Sequence, residues 1–311
     1  MERESFKVSV PGSVMLMGEH AVLKGSRCIC AAIDRRISIR VEPMTERSVL
    51  IESDLGTHTA SFDRLDLKSP FEFVLAAFRK FASDLSHGVR LRIESGLPAD
   101  VGFGSSAAVT VATVAAGCRL SGRESSPRLV IDHALGVVRE VQGRASGADC
   151  AASALGGIVG YRMDPFELSL VQNRFPLTLV YCGYKRKTAE VIALVQERAS
   201  AFKEGFIKLN ELVHWSVNEA LNAVEEQDLK RVGLLMDFNQ GLMDSMGVCN
   251  ADLSSILYQL RAAPEIHGAK ISGSGLGDCV VGLGRVDEDF PLPNKIFHLD
   301  IAEEGLRFEQ A

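Results

Sequence analysis

The longest uncharged stretch of the chain runs from Val101 to Cys118, and it constrains the fold more than any other segment. Its length approaches that of a membrane span. It opens, however, with Val-Gly-Phe-Gly-Ser-Ser and continues with small residues and threonines, a pattern typical of a glycine loop that leads into a buried helix. We therefore predict a glycine loop and a helix from about Ser105 to Cys118 inside a globular core, with no membrane partner.

The composition is that of an ordinary globular protein, because 46% of the 311 residues are hydrophobic and 24% are charged. At roughly 150 residues per domain, a chain of this length is expected to form two domains. Lys and Arg number 34 against 40 Asp and Glu, a net charge of −6, and aromatic residues make up only 6%. A nucleic-acid binder needs a basic surface, and a single-strand binder needs aromatic rings for stacking. We expect no nucleic-acid partner, although a small local anion site is still allowed.

The seven cysteines indicate a reducing compartment. Their number is odd, their spacing is scattered and no C-x-x-C occurs, which argues against a zinc site and against a disulfide framework. The N-terminus, MERESFKVSV, lacks the continuous apolar core of a secretory signal. The sequence therefore predicts buried free thiols and a cytoplasmic location.

Hydrophobic periodicity predicts an α+β chain with a mixed first half and a helix-rich second half. Strand-like alternation occurs at residues 5–10, where Pro11-Gly12 is expected to end the strand, and at 35–42 and 48–53. Residues 188–261 are almost wholly helical in pattern, with breaks expected near Gly205, Gly233 and Gly247. Two short strands, 269–273 and 279–283, are expected around a glycine loop. We place the domains at residues 1–165 and 166–311.

A first glycine loop, defined here as Gly102, Phe103, Gly104, Ser105, Ser106 and Ala107, carries the chemistry of an anion site. Glycines allow the backbone to approach a ligand closely, and the helix start offers free N–H groups and the positive end of the dipole. This combination suits a phosphate, and a serine hydroxyl can also reach a phosphate-bound magnesium. A glycine turn with a serine N-cap is the plain structural alternative. A dinucleotide-binding turn is a weaker one, because about eight loop-like residues separate Glu94 from Gly102.

Three further segments carry candidate functional residues. Glu19 and His20 follow Gly18 within an apolar segment, where a charged pair is costly unless it is used or paired. Asp149 follows Ser146 and Gly147 among small residues, as a base in a cleft or as an ordinary first-turn aspartate of a helix. The segment from Lys270 to Val281 is either a ligand-wrapping strand–loop–strand unit or a simple hairpin.

Together, in this order, the four segments resemble the motifs of the GHMP kinase superfamily, which contains galactokinase, homoserine kinase, mevalonate kinase and phosphomevalonate kinase. Pro11-Gly12 through Gly18-Glu-His-Ala-Val22 resembles the first motif, in the form found in mevalonate kinases. Gly102 to Ala108 resembles the phosphate-binding motif, and Gly143-x-x-Ser146-Gly147-x-Asp149 the segment with the catalytic aspartate. Lys270 to Cys279 resembles the third motif. The resemblance spans about residues 6–284.

The resemblance implies an ATP-dependent kinase that phosphorylates the C5 hydroxyl of mevalonate for isoprenoid synthesis. It implies an N-terminal ribosomal-protein-like domain and a C-terminal ferredoxin-like domain, with the active site between them, and a homodimer is plausible. The first glycine loop would hold ATP, Ser106 would contact Mg2+, and Asp149 would take or orient the hydroxyl proton. Glu19, His20, Ser146 and Thr188 would lie near the substrate, and the basic residues beside Thr188 would attract its carboxylate.

The chain departs from the family pattern at three positions. Ser13 stands where mevalonate kinases usually carry a lysine that neutralises charge near the transferred phosphoryl group; Lys24, Arg144 or Lys185 could replace it. The usual magnesium-binding glutamate falls at Val138, which makes Glu140, two residues later, the candidate metal ligand. Asp278 interrupts the glycine run of the third motif.

These departures leave other functions open. The chain could act on phosphomevalonate or another small alcohol, or it could be a nucleotide- or metabolite-binding sensor that has lost catalysis. The hypothesis of a dinucleotide-binding oxidoreductase rests only on the loose match of Gly102-x-Gly104-x-x-Ala107 to the dinucleotide-binding fingerprint.

Overall fold

The computed structural model describes residues 4–98 and 101–310. Ala99 and Asp100, which precede the first glycine loop, and the chain ends that the predicted domain limits include lie outside these ranges. The strands of the described part are β1 (Phe6–Met17), β2 (Cys28–Met44), β3 (Ser48–Ser53), β4 (Gly56–Ser61), β5 (Gly88–Ser95), β6 (Ile158–Arg162), β7 (Glu167–Val171), β8 (Leu177–Tyr181), β9 (Ala269–Ser272), β10 (Cys279–Leu283), β11 (Lys295–Leu299) and β12 (Arg307–Gln310). The helices are α1 (Glu72–Arg79), α2 (Ser105–Ser121), α3 (Pro127–Gln142), α4 (Ala148–Leu155), α5 (Thr188–Ala201), α6 (Lys203–Glu225), α7 (Leu229–Met246) and α8 (Ala251–Ala262), with a 3₁₀ helix at Ala21–Lys24.

The first sheet is built around the long strand β2. Its strand order is β12-β1-β2-β5-β3-β4, and β6 and β7 extend it from the first half of β2. All pairings are antiparallel except β3 with β5. Helices α2 and α4 pack against β1 and β2, and α1 and α3 pack against α2. Most of α2, from Ala107 to Cys118, is buried, so the expected glycine loop and buried helix are present.

Strand β1 runs on through Pro11 and Gly12, so the prediction that these residues end it is wrong. The pairing of β1 with β2 shifts register between Pro11 and Gly12, an irregularity at which a proline is tolerated. A Cβ on Gly12 would lie 2.6 Å from the Phe103 carbonyl oxygen, and the Ser13 N–H donates to that oxygen at 3.0 Å. The glycine thus lets the first glycine loop lie directly against β1.

The second sheet, as far as the chain is described, has the antiparallel order β11-β8-β10-β9. Helix α7 packs against β9, and α8 packs against β9 and β10. The predicted break near Gly247 is confirmed, because Gly247 ends α7. The break expected near Gly233 lies a few residues earlier, between the end of α6 at Glu225 and the start of α7 at Leu229. Gly233 itself lies inside α7, where a Cβ would come within 2.1 Å of the His267 carbonyl oxygen. Close packing, and not a chain break, requires the glycine here.

The two sheets do not divide the chain at residue 165. Strand β7 pairs with β6, so the predicted boundary falls inside a hairpin of the first sheet. The C-terminal strand β12 also returns to pair with β1. Residues 177–299 therefore supply the second sheet, and the first and last described strands, β1 and β12, belong to the first sheet.

Two sequence predictions, of free cysteines and of no membrane span, concern residues that the structure describes. All seven cysteines lie within them; none forms a disulfide there, and five are buried. Within the same residues, no helix combines the length and the apolar character needed to cross a membrane.

Candidate active site

A cavity of about 270 Å3 lies between the two halves of the molecule, where the motif segments meet. Residues from all four segments line it: Glu19, His20, Gly102, Gly104, Ser105, Ser106, Ala107, Ser146, Asp149, Ser272, Gly273, Ser274 and Asp278. Thr188, Arg144 and Lys185 line it as well. Phe103 is the exception within the first glycine loop, because its ring is fully buried and packs edge-on against Phe297 at 5.0 Å.

The first glycine loop presents the start of α2 to this cavity. Gly104 is the N-cap residue of α2 in the left-handed conformation, with φ of 64°, and it brings no capping side chain. A Cβ on Gly104 would lie 2.1 Å from the Ser13 Oγ, so only glycine fits this position without rearrangement. The N–H groups of the first turn point away from the helix and have no partner within it. Free N–H groups at the positive end of a 17-residue helix have the chemistry that an anion requires.

Asp149 lies opposite, in the first turn of α4 after Gly147. Its Oδ1 accepts hydrogen bonds from the Ser13 hydroxyl at 2.8 Å and from the Cys30 thiol at 3.7 Å. Burial raises the pKa of Asp149 above its ordinary value, while these two hydrogen bonds and the charge of Lys185 oppose the rise. A carboxylate with a raised pKa is a stronger proton acceptor than an ordinary surface aspartate.

Ser13 was singled out from the sequence only as a departure, and its role is visible only in three dimensions. It is fully buried, its hydroxyl orients Asp149, and its backbone N–H holds the first glycine loop through Phe103. One residue of β1 therefore connects Asp149 to the first glycine loop. No sequence signal could have shown this, because Ser13 and Asp149 are 136 positions apart.

Glu19 and His20 contact the third motif across the two halves. The Lys270 ammonium group donates to Glu19 Oε1 at 2.5 Å, and both side chains are buried. Burial lowers the pKa of Lys270, and the charge of Glu19 opposes this effect. His20 Nε2 lies 2.8 Å from the Ser274 carbonyl oxygen, and burial lowers its pKa. The Glu19 pair thus joins the first motif to β9, and the His20 contact joins it to the second glycine loop, defined as residues 273–278, which lines the cavity.

Asp278 closes the second glycine loop against the first. It has a φ of 70°, and its Oδ1 accepts the Gly102 N–H at 2.9 Å. The Lys185 ammonium group lies 3.1 Å from its other carboxylate oxygen. Asp278 therefore lies beside the anion site together with a matching cation.

The remaining predicted substrate residues lie at the mouth of the cavity. Thr188 begins α5 and is exposed, and the Ser146 Oγ accepts the Ala148 N–H at 3.3 Å. An adjoining cavity of about 440 Å3 is lined by Thr188 and four basic residues, Arg144, Lys185, Arg186 and Lys187, among others. The expected basic surface next to Thr188 is therefore present in this part of the chain.

Glu140 is not brought to the cavity. Its carboxylate pairs with Arg79 at 2.9 Å on another face of α3, whereas Val138 does line the cavity. The geometry gives no support to the prediction of a metal ligand at Glu140, because two residues along a helix turn the side chain away by about 200°. The described residues hold no group of three His, Cys, Asp or Glu side chains arranged for a metal ion.

A magnesium ion carried by a nucleotide needs only one or two protein ligands in addition to phosphate oxygens. The cavity offers Ser106, at the start of α2, and Glu19, whose Oε2 is buried without a hydrogen-bond partner. A buried carboxylate oxygen without a partner is costly. These residues therefore fit such an ion.

The chain matches two family models and is similar to known proteins. The family model "GHMP kinases N terminal domain" matches residues 72–157, and "GHMP kinases C terminal" matches residues 219–291. The chain is 31% identical to the mevalonate kinase of Aeropyrum pernix, over 99% of each chain. It is 33% identical to that of Pyrococcus furiosus, over 97% of this chain and 98% of the relative.

The fold also matches a solved structure. A crystal structure of L. major mevalonate kinase in complex with R-mevalonate superimposes with a TM-score of 0.79 at 24% identity, covering 96% of both chains. This likeness shows the two-domain α+β fold. With the two family models and relatives above 30% identity along the whole chain, the comparisons establish that this chain belongs to the GHMP kinase family.

Proposed function

We propose that the protein transfers the terminal phosphoryl group of ATP to the C5 hydroxyl of mevalonate. One observation carries the proposal: a carboxylate with a raised pKa, Asp149, shares a cavity with the open N-terminus of α2. A phosphate-binding helix start beside a proton acceptor is what phosphoryl transfer to an alcohol requires. The relatives named mevalonate kinase support this alcohol as the substrate.

In the proposed reaction, the free backbone N–H groups at the start of α2 hold the phosphates of ATP. The N–H groups of Gly102 and Phe103 already donate to Asp278 and to the Val101 carbonyl. Asp149 accepts the proton of the C5 hydroxyl, and the alcohol oxygen forms a bond to the terminal phosphorus. The bond from that phosphorus to the bridging oxygen breaks, and ADP leaves with the electron pair. The protein contributes position and charge neutralisation, with little covalent chemistry of its own.

Residues around the reacting groups have distinct proposed tasks. Ser106 and Glu19 would hold Mg2+, which supplies charge neutralisation on the phosphates when it is bound. His20 and Ser146 line the same cavity, and we assign them to binding of the alcohol. Thr188, with Arg144, Arg186 and Lys187 of the adjoining cavity, would receive the mevalonate carboxylate. A homodimer and a cytoplasmic location stay predictions from the sequence.

A second candidate substrate is phosphomevalonate. The four basic side chains of the adjoining cavity could receive a phosphate as well as a carboxylate. An ADP-release assay separates the two candidates when each substrate is offered alone.

The test is an ADP-release assay with ATP and magnesium, in which mevalonate and phosphomevalonate are offered separately. We expect turnover with mevalonate and at most background release with phosphomevalonate. Turnover with phosphomevalonate alone would transfer the assignment to that substrate. ATP binding without turnover on either alcohol would contradict the proposed mevalonate kinase activity and favour a sensor.

A further inference from the structure

The residue beside the proposed proton acceptor, Asp149, lacks the positive charge of the lysine in the family pattern. Ser13, the residue beside Asp149, is neutral and buried, so it cannot stabilise charge on a transferred phosphoryl group. A positioned cation at that group commonly contributes several powers of ten in rate. We propose that Lys185 is this catalytic cation and that Asp278 is its positioning residue, an inference that rests on the proposed function.

Asp278 is fixed by its backbone as well as by its side chain. Its N–H donates to the Tyr184 carbonyl at 2.8 Å, and its carbonyl accepts the Cys182 N–H at 2.9 Å. Its carboxylate accepts the N–H of Gly102, and its side chain is only 12% exposed. Both backbone anchors belong to the segment that carries Lys185. The carboxylate therefore ties that segment to the first residue of the phosphate-binding loop.

Lys185 is held by this carboxylate at the edge of the cavity. An ammonium group has three donors, and the 3.1 Å contact with Asp278 uses one of them, which leaves two for phosphate oxygens. Lys185 lines the cavity, and its charge acts on Asp149, where it opposes the rise in pKa that burial causes. The ammonium group thus lies within electrostatic reach of both the anion site and the proton acceptor.

The ion pair itself contributes little to stability, because the Lys185 side chain is 46% exposed and solvent screens exposed ion pairs. The role of the ion pair is therefore to fix the position of the Lys185 ammonium group. Asp278 also has a left-handed backbone conformation, with φ of 70°, which carries an energetic cost for a non-glycine residue. Such a cost is typical of functional positions.

The other cations suggested by the sequence fit less well. Lys24 is exposed at the end of the 3₁₀ helix and is not among the cavity-lining residues. Arg144 lines both cavities, but it is not among the principal charges that act on Asp149.

The experiment compares Lys185→Met, Lys185→Arg, Asp278→Asn and the double variant Lys185→Met/Asp278→Asn with the unaltered protein. Lys208→Met, on the exposed face of α6, is the matched control. We expect Lys185→Met to lower kcat by about 100-fold or more, while the KM for mevalonate changes by less than about threefold. Lys185→Arg keeps the charge and should retain more activity. Asp278→Asn still accepts the Gly102 N–H but loses the charge that holds Lys185, and should lower kcat about tenfold.

The double variant tests the positioning role. If Asp278 acts through Lys185, the double variant should be no slower than Lys185→Met alone, within about twofold. Effects that multiply would overturn the role of Asp278. A kcat of Lys185→Met within about threefold of the unaltered protein would overturn the role of Lys185.

A binding measurement keeps this inference separate from the identity of the alcohol. Calorimetric titration with ADP and with a non-hydrolysable ATP analogue, both with magnesium, isolates the contribution of the terminal phosphate. Lys185→Met should weaken the analogue at least fivefold more than ADP. Equal weakening would overturn the placement of Lys185 at that phosphate. Absence of mevalonate turnover by the unaltered protein would instead contradict the proposed function alone.

Discussion

The Ser13 hydroxyl donates a 2.8 Å hydrogen bond to Asp149 Oδ1, and the same serine holds the first glycine loop through its backbone N–H. This arrangement orients the proposed proton acceptor toward the place where a phosphate would bind. Ser13 is fully buried, so water cannot easily replace its hydroxyl. The position of Asp149 is therefore set by β1, the strand that supports the whole site.

Replacement of Asp149 by asparagine should abolish turnover. The amide would keep the size of the side chain but could not accept a proton, so we expect kcat to fall by about 100-fold to 10,000-fold. Nucleotide affinity and thermal stability should change little. Asp132→Asn, at an exposed i,i+4 pair with Arg128, is the matched control. Near-normal turnover of Asp149→Asn would remove Asp149 from the mechanism.

Replacement of Ser13 by alanine should shift the pH dependence of kcat/KM. The Ser13 hydrogen bond lowers the pKa of Asp149, against the larger effect of burial, so its loss should raise that pKa further. Because Asp149 works in its ionised form, the acidic limb of the kcat/KM profile should move to higher pH. The value of kcat/KM at low pH should therefore fall. A profile measured from acidic to neutral pH checks this. An unchanged acidic limb would show that Asp149 is not the group that titrates.

Replacement of Gly104 by alanine should weaken nucleotide binding. The new Cβ would meet the Ser13 Oγ at 2.1 Å in a backbone conformation with positive φ, so the loop must move. The strain should cost about 1–3 kcal/mol, seen as a lower denaturation midpoint and weaker ATP affinity. Gly205→Ala, with open space at the Cβ position in α6, is the control. Equal ATP affinity in the two variants would contradict the assigned loop.

Replacement of Lys270 by methionine should destabilise the protein strongly. It would leave the buried carboxylate of Glu19 without its partner, which typically costs about 3–5 kcal/mol. Glu19→Gln in the same chain should recover part of this loss, because no buried charge remains. Urea denaturation measures both, and Lys7→Met, at the surface pair with Glu309, should change stability by less than about 1 kcal/mol. A loss below about 1 kcal/mol in Lys270→Met would contradict a buried pair between the two halves.

The sequence predicted local structure well where one segment contains its own cause. The loop and helix from Gly102 to Cys118 follow from glycines, serines and small residues, and Gly247 ends α7 as expected. The prediction failed where a distant contact decides. Pro11-Gly12 lies within a strand, and the first glycine loop packs directly against Gly12. Gly233 lies within a helix, and the His267 backbone packs directly against it.

The candidate site shows the same division. The order of the sequence motifs predicts that Glu19, Ser106 and Asp149 belong to one site, and all three line the same cavity. The partners that govern them come from elsewhere in the chain, as Lys270 does for Glu19 across 251 positions. Glu140 was proposed because it lies near Val138 in sequence, but helical geometry turns it toward Arg79. Pairings of this kind depend on tertiary packing, which no single segment encodes.

The most direct test of the central claim is the identity of the product. Phosphorus NMR of a reaction with ATP, magnesium and mevalonate should show one new phosphomonoester signal that grows in step with ADP. The Asp149→Asn variant should show neither. Formation of ADP with inorganic phosphate only, or no change in the ATP signals while ATP is bound, would contradict phosphoryl transfer to mevalonate.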